Sequence, residues 1–581
     1  MQNKQALSRH SRVRGGWLVA QTLATKKTEV VFTMSGGFIN PVIEGLVQHG
    51  VRVVNAPDER IAGHLADGWA RSSRAPAVCL AGPEGMGNAV PAMLEAFGQH
   101  SPVLFITGSS TIKRMGQGGF KEIDHVRVAD PLTKYSVLVT DGNRIPEFIN
   151  KAYEICGSGN PGPVHISIPT DLLYSSFDNP NKRLDRPFSL TAQPEHLAWP
   201  DPGEINTLFD KLEKAKRPVV IAGNGVWWGR AETELARFAS RYDVPVLIVP
   251  YHQALFEGQL PYYFGLADIH QYPPAEAMLR DADLILSIGC RLDNMLNFGN
   301  PPLVPKTAEL ICVNGSITEV ADNHAADVNL LGHPRIVLSK LAEAKEGSEP
   351  VTREWLKTCR QDRSRWIGEL QELIRKESDS RPMHPLALSV EVINAIGSND
   401  FLVIDGGDTH YWAEMALNIA AFNGKPIRGV FHPGPNSLIG CGISFGMALK
   451  LMHPTSNVVV LSGDGAFLSG GFGIELAFNE NVPITVVIDN NRGLSSIEQQ
   501  QRRIWDSGEP CGTAFRDVPF DGLFKGLGGH GITIDEPSEI AHAIREAIAS
   551  NLPACVNVRT KGVISPLVEA LTDRRAKSSI E

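Results

Sequence analysis

Short β-branched runs alternate with longer helical patterns along almost the whole chain. EVVFTM, PAVCLAG, SPVLFITG, RPVVIAGNG, DVPVLIV, ADLILSIG, DFLVIDGG, SNVVVLSGDG and VPITVVIDNN are such runs, and all but DVPVLIV end in or are followed by Gly, Ser, Asn or Asp before a helical stretch. This rhythm is the strongest constraint on the fold. A strand, a crossover helix and a second strand return parallel, so the chain reads as α/β with doubly wound parallel sheets. At 581 residues it is too long for one core, and several domains are expected. Two aperiodic stretches divide it, a Pro-rich and charged one at 178–204 and a polar one at 343–355 that leads into a charged helical pattern. Three α/β domains are therefore expected at 1–185, 200–345 and 375–560, with a polar tail at 561–581. No internal repeat by residue identity is visible.

The balance of charge narrows the function. A net charge of −9 with no basic stripe argues against nucleic acid as a partner, and no apolar stretch has the length of a membrane span. The eight cysteines are scattered without a CxxC pair, which suits buried reduced thiols in a cytoplasmic protein rather than a disulfide frame or zinc site. The basic start, MQNKQALSRHSRVRGG, reads as a solvated tail rather than a transit peptide.

The stretch SGDGAFLSGGFGIELAFNENVPITVVIDNN (462–491) carries the most chemistry. NVVVL and ITVVI read as strands, with a crossover helix in FGIELAFNEN between them. Parallel neighbours lie about 4.8 Å apart, so Asp464 and Asn491, each following a strand, reach one point above the same sheet edge, where open α/β sheets bind ligands. A carboxylate and an amide oxygen are hard donors that suit Mg²⁺. Gly493 permits a tight turn and offers its carbonyl as a third ligand. Gly463, Gly465 and Ala466 leave space and backbone N–H groups for diphosphate oxygens.

GDG followed by NN in this context resembles the cofactor motif of the thiamine diphosphate-dependent enzymes. VVNAPDERIAGHLADGWAR (53–71) resembles a segment of the acetolactate synthase group, with Glu59 on the family's catalytic glutamate. The resemblance implies that Glu59 hydrogen-bonds the cofactor's pyrimidine ring and assists removal of the thiazolium C2 proton, a role that a desolvated site suits. Taken from the residues alone, Glu59 reads first as a surface group at a helix start. AGPEGMGNAVPAMLEAFGQH resembles the family's GPG…N loop, bringing Asn88 toward the cofactor, but it is one residue longer. FHPGPNSLIGCG resembles the segment that supports the cofactor's bent shape, with Ser437 and Leu438 beside Ile439 as the prop. Thr409 and His410, in DGGDTHYWAE, are candidates for the diphosphate or for a cap or core role.

GQGGFKEIDHVRVADP resembles the family's FQE segment, but Lys121 stands after Phe120 where that group has Gln. Lys121 is expected to meet a substrate anion, a protein carboxylate or water, the first being preferred. The SGGFIN loop supplies a facing wall, with Gly37 allowing close approach. In the central domain, IAGNG without a following acid partner is a weak dinucleotide signal, and Asn314 stands where adenosine-binding relatives carry Asp. FAD or ADP there is possible but not favoured. RLDNMLNFGNPPL resembles 2-hydroxyacyl-CoA lyases and oxalyl-CoA decarboxylases, which leaves a CoA-linked substrate open.

The resemblance thus implies pyrimidine-binding, central and diphosphate-binding domains, thiamine diphosphate with Mg²⁺, and a homodimer or homotetramer with active sites between subunits. The activity implied is a C–C bond lyase or carboligase on a 2-keto acid, aldehyde or 2-hydroxyacyl(-CoA) substrate. A simple 2-keto acid or oxalyl-CoA-type decarboxylase is the alternative, and intact Glu59, Asp464 and Asn491 argue against a non-catalytic relative.

Overall fold

The computed structural model describes residues 12–178, 197–250, 262–268, 270, 272–319, 326–343, 353–505 and 508–578. Most of the basic N-terminal stretch, most of the Pro-rich divider and most of the second divider lie outside them. The described strands form three six-stranded sheets in which every pairing is parallel, and a short antiparallel ribbon joins Arg12–Arg14 to Ser176–Asp178. The α/β expectation therefore holds.

The N-terminal sheet holds β1 (Val30–Thr33), β2 (Arg52–Asn55), β3 (Ala77–Ala81), β4 (Val103–Ser109), β5 (Ser136–Leu138) and β6 (Val164–Pro169) in the order β2-β1-β3-β4-β6-β5. The central sheet holds β7 (Pro218–Ala222), β8 (Val246–Ile248), β9 (Tyr263–Leu266), β10 (Leu284–Ile288), β11 (Glu309–Asn314) and β12 (Val328–Leu331), ordered β9-β8-β7-β10-β11-β12. The C-terminal sheet holds β13 (Phe401–Asp405), β14 (Gly429–Phe431), β15 (Val458–Gly463), β16 (Thr485–Asn490), β17 (His530–Ile534) and β18 (Ala554–Arg559), ordered β14-β13-β15-β16-β18-β17. The first and last sheets share one strand order, although their residues show no repeat.

By contacts the chain groups into two units, one of 1–196 with 447–452 and one of the remainder that holds both the central and the C-terminal sheets. The reason lies in the two faces of the central sheet. Val220, Ala222, Ile248, Leu286 and Ile288 face a core shared with the sheet's own helices. Their strand neighbours Val219, Ile221, Leu247 and Ile285 belong to a core that runs on into the C-terminal sheet. Helices α1 (Glu59–Ser73) and α2 (Gly85–Gly98) belong to the N-terminal unit, and α3 (Arg353–Lys376) joins the other two sheets. The charged pattern of α3 conceals a buried stripe of Trp355, Cys359, Trp366 and Leu370. Trp355 Nε1 donates to the Pro218 carbonyl at 3.1 Å, and Trp366 packs edge-on to Tyr272.

The C-terminal unit also includes α4 (Asp408–Phe422), α5 (Asp464–Gly470), α6 (Ser495–Ile504) and α7 (Pro566–Ser578). The segment expected as a polar tail is thus largely a helix. Val568 and Thr572 are buried, and Glu569 pairs with Arg503 of α6 at 2.6 Å. The crossover between β15 and β16 is broken into α5, a 3-10 turn and the helix Ile474–Asn479. The break falls at Gly470, where an added Cβ would overlap the Gly440 carbonyl.

The N-terminal unit buries neutral histidines. Thr107 Oγ1 lies 2.8 Å from His125 Nδ1 and 2.9 Å from His165 Nε2, and Ser136 Oγ lies 2.9 Å from His165 Nδ1. Burial pulls His125 down to about 4 and His165 to about 3, and burial followed by Arg60 and Arg71 pulls His64 to about 3. Unfolding restores their ordinary value of 6.5. The unfolded chain then binds protons that the folded chain refuses, so stability is complete above about pH 6.5 and falls as pH drops toward 4. Thermal unfolding should show a lower midpoint at pH 5 than at pH 7.5, and His165→Gln should shrink that difference; an equal difference in the variant would remove His165 from the account.

Candidate active site

One candidate constellation, in the N-terminal unit, is built on α1. The Asp58 carboxylate accepts from the Arg60 N–H at 2.7 Å and caps the helix, so Glu59 is its first residue. Gly63 lets α1 approach α2, since an added Cβ would sit 2.5 Å from Ala92 Cβ. Asp67 and Glu95 both accept from Arg71, at 2.6 and 2.8 Å, and all three side chains are fully enclosed. Breaking such a buried charged group is strongly destabilising. The GHLADGWAR pattern thus has a structural cause: it locks α1 against α2.

That lock holds Glu59 in a buried position. Its Oε2 accepts from Asn88 Nδ2 of α2 at 3.0 Å. Gly85 closes over the other oxygen, and any Cβ there would overlap Oε1. Glu59 and Asn88, far apart in sequence, are brought together, and Glu59 is not the surface group that its position alone allowed.

A second constellation, in the other unit, rests on β15 and β16, whose register pairs Gly463 with Asp489. Asp464 follows β15 and opens α5. Its Oδ1 accepts from the Gly465 N–H at 2.7 Å, and its Oδ2 from the Gly493 N–H at 3.0 Å. Asn491 follows β16 and donates to Ser495 Oγ at 3.2 Å, while its Oδ1 is buried with no hydrogen bond. Asn490 instead donates to Asn557 Oδ1 at 3.0 Å and ties β16 to β18. One asparagine of the pair is a sheet residue and the other is available to a ligand. Gly493 acts here through its N–H, and its lack of a side chain is required, because a Cβ would lie 2.5 Å from the Thr513 carbonyl.

Burial, then the neighbouring Asp489, pushes Asp464 up to about 7. Asp489 is itself raised by burial, against the opposing bonds from Thr560 and Thr409. Asp408 is raised to about 6 by burial, with Ser565 holding its Oδ1 at 2.6 Å. Acids gathered at one sheet edge, with an unpartnered amide oxygen among them, fit a hard cation that draws further ligands from phosphate and water. No cluster of three His, Cys, Asp or Glu with metal-ligating geometry occurs among the described residues.

Thr409 donates to Asp489 at 2.8 Å, and His410 is enclosed with Nε2 3.0 Å from Glu414 Oε1. Both candidates therefore have protein partners. Asp405, which sequence reasoning missed, holds the loop of Ser437, Leu438 and Ile439. Its carboxylate accepts from the Gly440 N–H at 3.0 Å and the Gly442 N–H at 2.7 Å. Ser437 is left-handed, with φ of 49°, and Leu438 and Ile439 are half-buried.

Of the three partners expected for Lys121, the structure shows the protein carboxylate: it pairs with Glu84 of the loop that leads into α2. Phe120 is 75% exposed, and Tyr174 donates to the Gly37 carbonyl at 2.6 Å, holding the facing loop. In the central sheet, a Cβ at Gly225 would lie 2.6 Å from Gly289 Cα. The glycine turn after β7 thus has a packing cause independent of any nucleotide. Asn314 donates to the Cys290 and Glu319 carbonyls at 3.2 and 2.9 Å.

Three family models match the chain: the N-terminal TPP binding domain of thiamine pyrophosphate enzymes at 13–128, the central domain at 205–341 and the C-terminal TPP binding domain at 405–558. A probable acetolactate synthase of Mycobacterium bovis is 30% identical over 94% of this chain and 96% of its own length. The chain belongs to the thiamine pyrophosphate enzymes. As such an enzyme it is also similar to a probable acetolactate synthase large subunit of Methanocaldococcus jannaschii, 26% identical over 96% of this chain and 93% of that one. Human 2-hydroxyacyl-CoA lyase 1 is 25% identical over 94% of each. No described helix of this thiamine pyrophosphate enzyme is long and apolar enough to cross a membrane.

The contact between Gly493 and Asp464 yields a test. Gly493→Ala must move the loop away from Thr513 and with it the N–H that Asp464 accepts. Losing a hydrogen bond to a charged group should weaken thiamine diphosphate binding with Mg²⁺ about tenfold or more, measured by equilibrium dialysis. Unchanged affinity would show that the loop tolerates the shift.

Proposed function

We propose that this chain is a thiamine diphosphate- and Mg²⁺-dependent C–C bond lyase or carboligase acting on a 2-keto acid or a 2-hydroxyacyl substrate, free or CoA-linked. The observation that carries it is the buried, unpartnered Oδ1 of Asn491 beside Asp464 at the edge shared by β15 and β16. Similarity to both an acetolactate synthase and a 2-hydroxyacyl-CoA lyase supports the class and keeps both substrate kinds in it.

When bound, the cofactor supplies a carbon nucleophile and an electron sink for the bond that breaks. In this reading Asp464 and Asn491 hold the cation, and N–H groups at the start of α5 face the diphosphate. Ile439 supports the cofactor's shape, with Asp405 keeping its loop in place. Glu59 holds or releases a proton at its carboxyl group, on the side not taken by Asn88. Gly85 lets that carboxylate lie close to backbone, and burial keeps water from it. The proposed assembly is a homodimer or homotetramer in which a complete site draws Glu59 from one copy and Asp464 from another.

The direct test is a turnover screen of 2-keto acids, aldehydes and 2-hydroxyacyl-CoA thioesters with both cofactors supplied; no turnover on any of them sinks the reading. Glu59→Gln should still bind cofactor but exchange its C2 proton about 10²–10⁴-fold more slowly, read by deuterium exchange and NMR after acid quench. Asp464→Ala should lose cofactor affinity in dialysis. Co-expression of the two inactive variants should restore about a quarter of wild-type activity if a dimer's sites are shared and mixing is random. No recovery would mean that each chain builds its own site.

A further inference from the structure

Two oppositely charged side chains on separate loops of the N-terminal unit touch each other. The loop leading into α2 contains Glu84, and Lys121 follows Phe120 in the segment after β4. Lys121 Nζ donates to Glu84 Oε1. The next residue, Gly85, lies against the Glu59 carboxylate, so the ion pair is one residue along the backbone from the wall that holds the proposed proton-handling group. Lys121 Nζ also lies 5.3 Å from the Phe120 ring centroid and 5.9 Å from that of Phe38.

The segment carrying Lys121 is built, not loose. Glu122 accepts from the Gly116 and Gly119 N–H groups, the latter at 2.7 Å, and Ser110 Oγ donates to the Phe120 carbonyl at 2.7 Å. Lys121 itself is left-handed, with φ of 60°, a conformation that disfavours residues other than Gly. Burial opposes the Glu84 charge, but its bonds to Lys121 and to backbone outweigh that and hold its carboxyl below the usual range. The two side chains remain 32% and 54% exposed, so a ligand can reach them.

Resting on the proposed function for the place of Glu59, we propose that Glu84 and Lys121 act together as one self-neutralising specificity element. It leaves the wall beside Glu59 without a free cation and directs the site toward an uncharged, apolar substrate portion, an aldehyde, ketone or acyl thioester, over a small carboxylate. A carboxylate entering this wall must displace Glu84 from Lys121. An aldehyde meets the exposed ring of Phe120 and leaves the pair intact. Glu84 is thereby a specificity residue that works through Lys121.

The test uses the full-length protein with thiamine diphosphate and Mg²⁺, carrying Glu59→Gln to suppress turnover, and reads the binding of pyruvate and of benzaldehyde by ligand-observed NMR titration. Glu84→Gln frees the ammonium and should tighten pyruvate about three- to tenfold, the range for a solvent-accessible charged contact, with benzaldehyde unchanged. Lys121→Gln should weaken pyruvate, because Glu84 is left unpaired. The double variant, neutral again, should return toward the parent. Opposite signs for the single variants are something that a merely structural pair would not produce. Unchanged pyruvate binding in Glu84→Gln, no pyruvate binding in any variant, or equal shifts for both probes would overturn the proposal. These affinities need no turnover, so an inactive parent enzyme would refute the proposed function without deciding this point.

Discussion

Parallel pairing of β15 with β16 is the constraint on which the candidate site depends. Its register puts Gly463 beside Asp489, so the residue that follows each strand emerges on the same edge. Asp464 and Asn491 owe their nearness to this ladder and not to any contact between their own side chains. A slip of one residue would turn each strand's side chains to the opposite face. The edge is then shaped by glycines where backbone meets backbone, at Gly493 against Thr513 and at Gly470 against Gly440. Asp489 lies beneath, held by hydroxyls of Thr409 and Thr560 that come from separate elements.

The sequence was most legible where function coincides with local pattern. Strand ends marked by Gly, Asp and Asn are visible in a few residues, so the sheets and the Asp464 and Asn491 positions could be read directly. Glu59 was legible only through the likeness of its surroundings, since an acid at a helix start is common and its burial depends on α2. What escaped reading depends on distant partners. Asp405 is an ordinary strand-end acid until Gly440 and Gly442 fold back onto it. Glu84 is an ordinary loop acid until Lys121 arrives. Helix α3 looks charged because its apolar stripe is a minority of its residues, yet Trp355 and Trp366 of that stripe are buried in the core that the central and C-terminal sheets share. The tail was read as polar because its few buried groups, Val568 and Thr572 among them, are spaced along a helix that needs α6 beside it.

The common strand order of the N-terminal and C-terminal sheets shows the other limit of sequence reading. Topology is kept by the alternation of strand and helix, which many residues satisfy. The two sheets nonetheless present different chemistry: the first carries a carboxylate anchored by an amide and a closely approaching glycine, and the last an acid and an amide at neighbouring strand ends. Equal frameworks with unequal edges allow one kind of scaffold to carry two different sets of polar groups.

The core shared by the central and C-terminal sheets has a consequence for biosynthesis. Strands β7, β8 and β10 leave the ribosome well before α3 and α4, and the face bearing Val219, Ile221, Leu247 and Ile285 has no complete cover until those helices follow. The opposite face has its own helices and closes earlier. The nascent chain therefore passes through a stage in which one side of a parallel sheet is finished and the other only partly covered, by the helix that holds Ala275, Met278 and Leu279, the kind of surface on which chaperones act and misassembly begins. The N-terminal sheet, with its separate core of Leu18, Val31, Leu104 and Ile166, does not wait for that step.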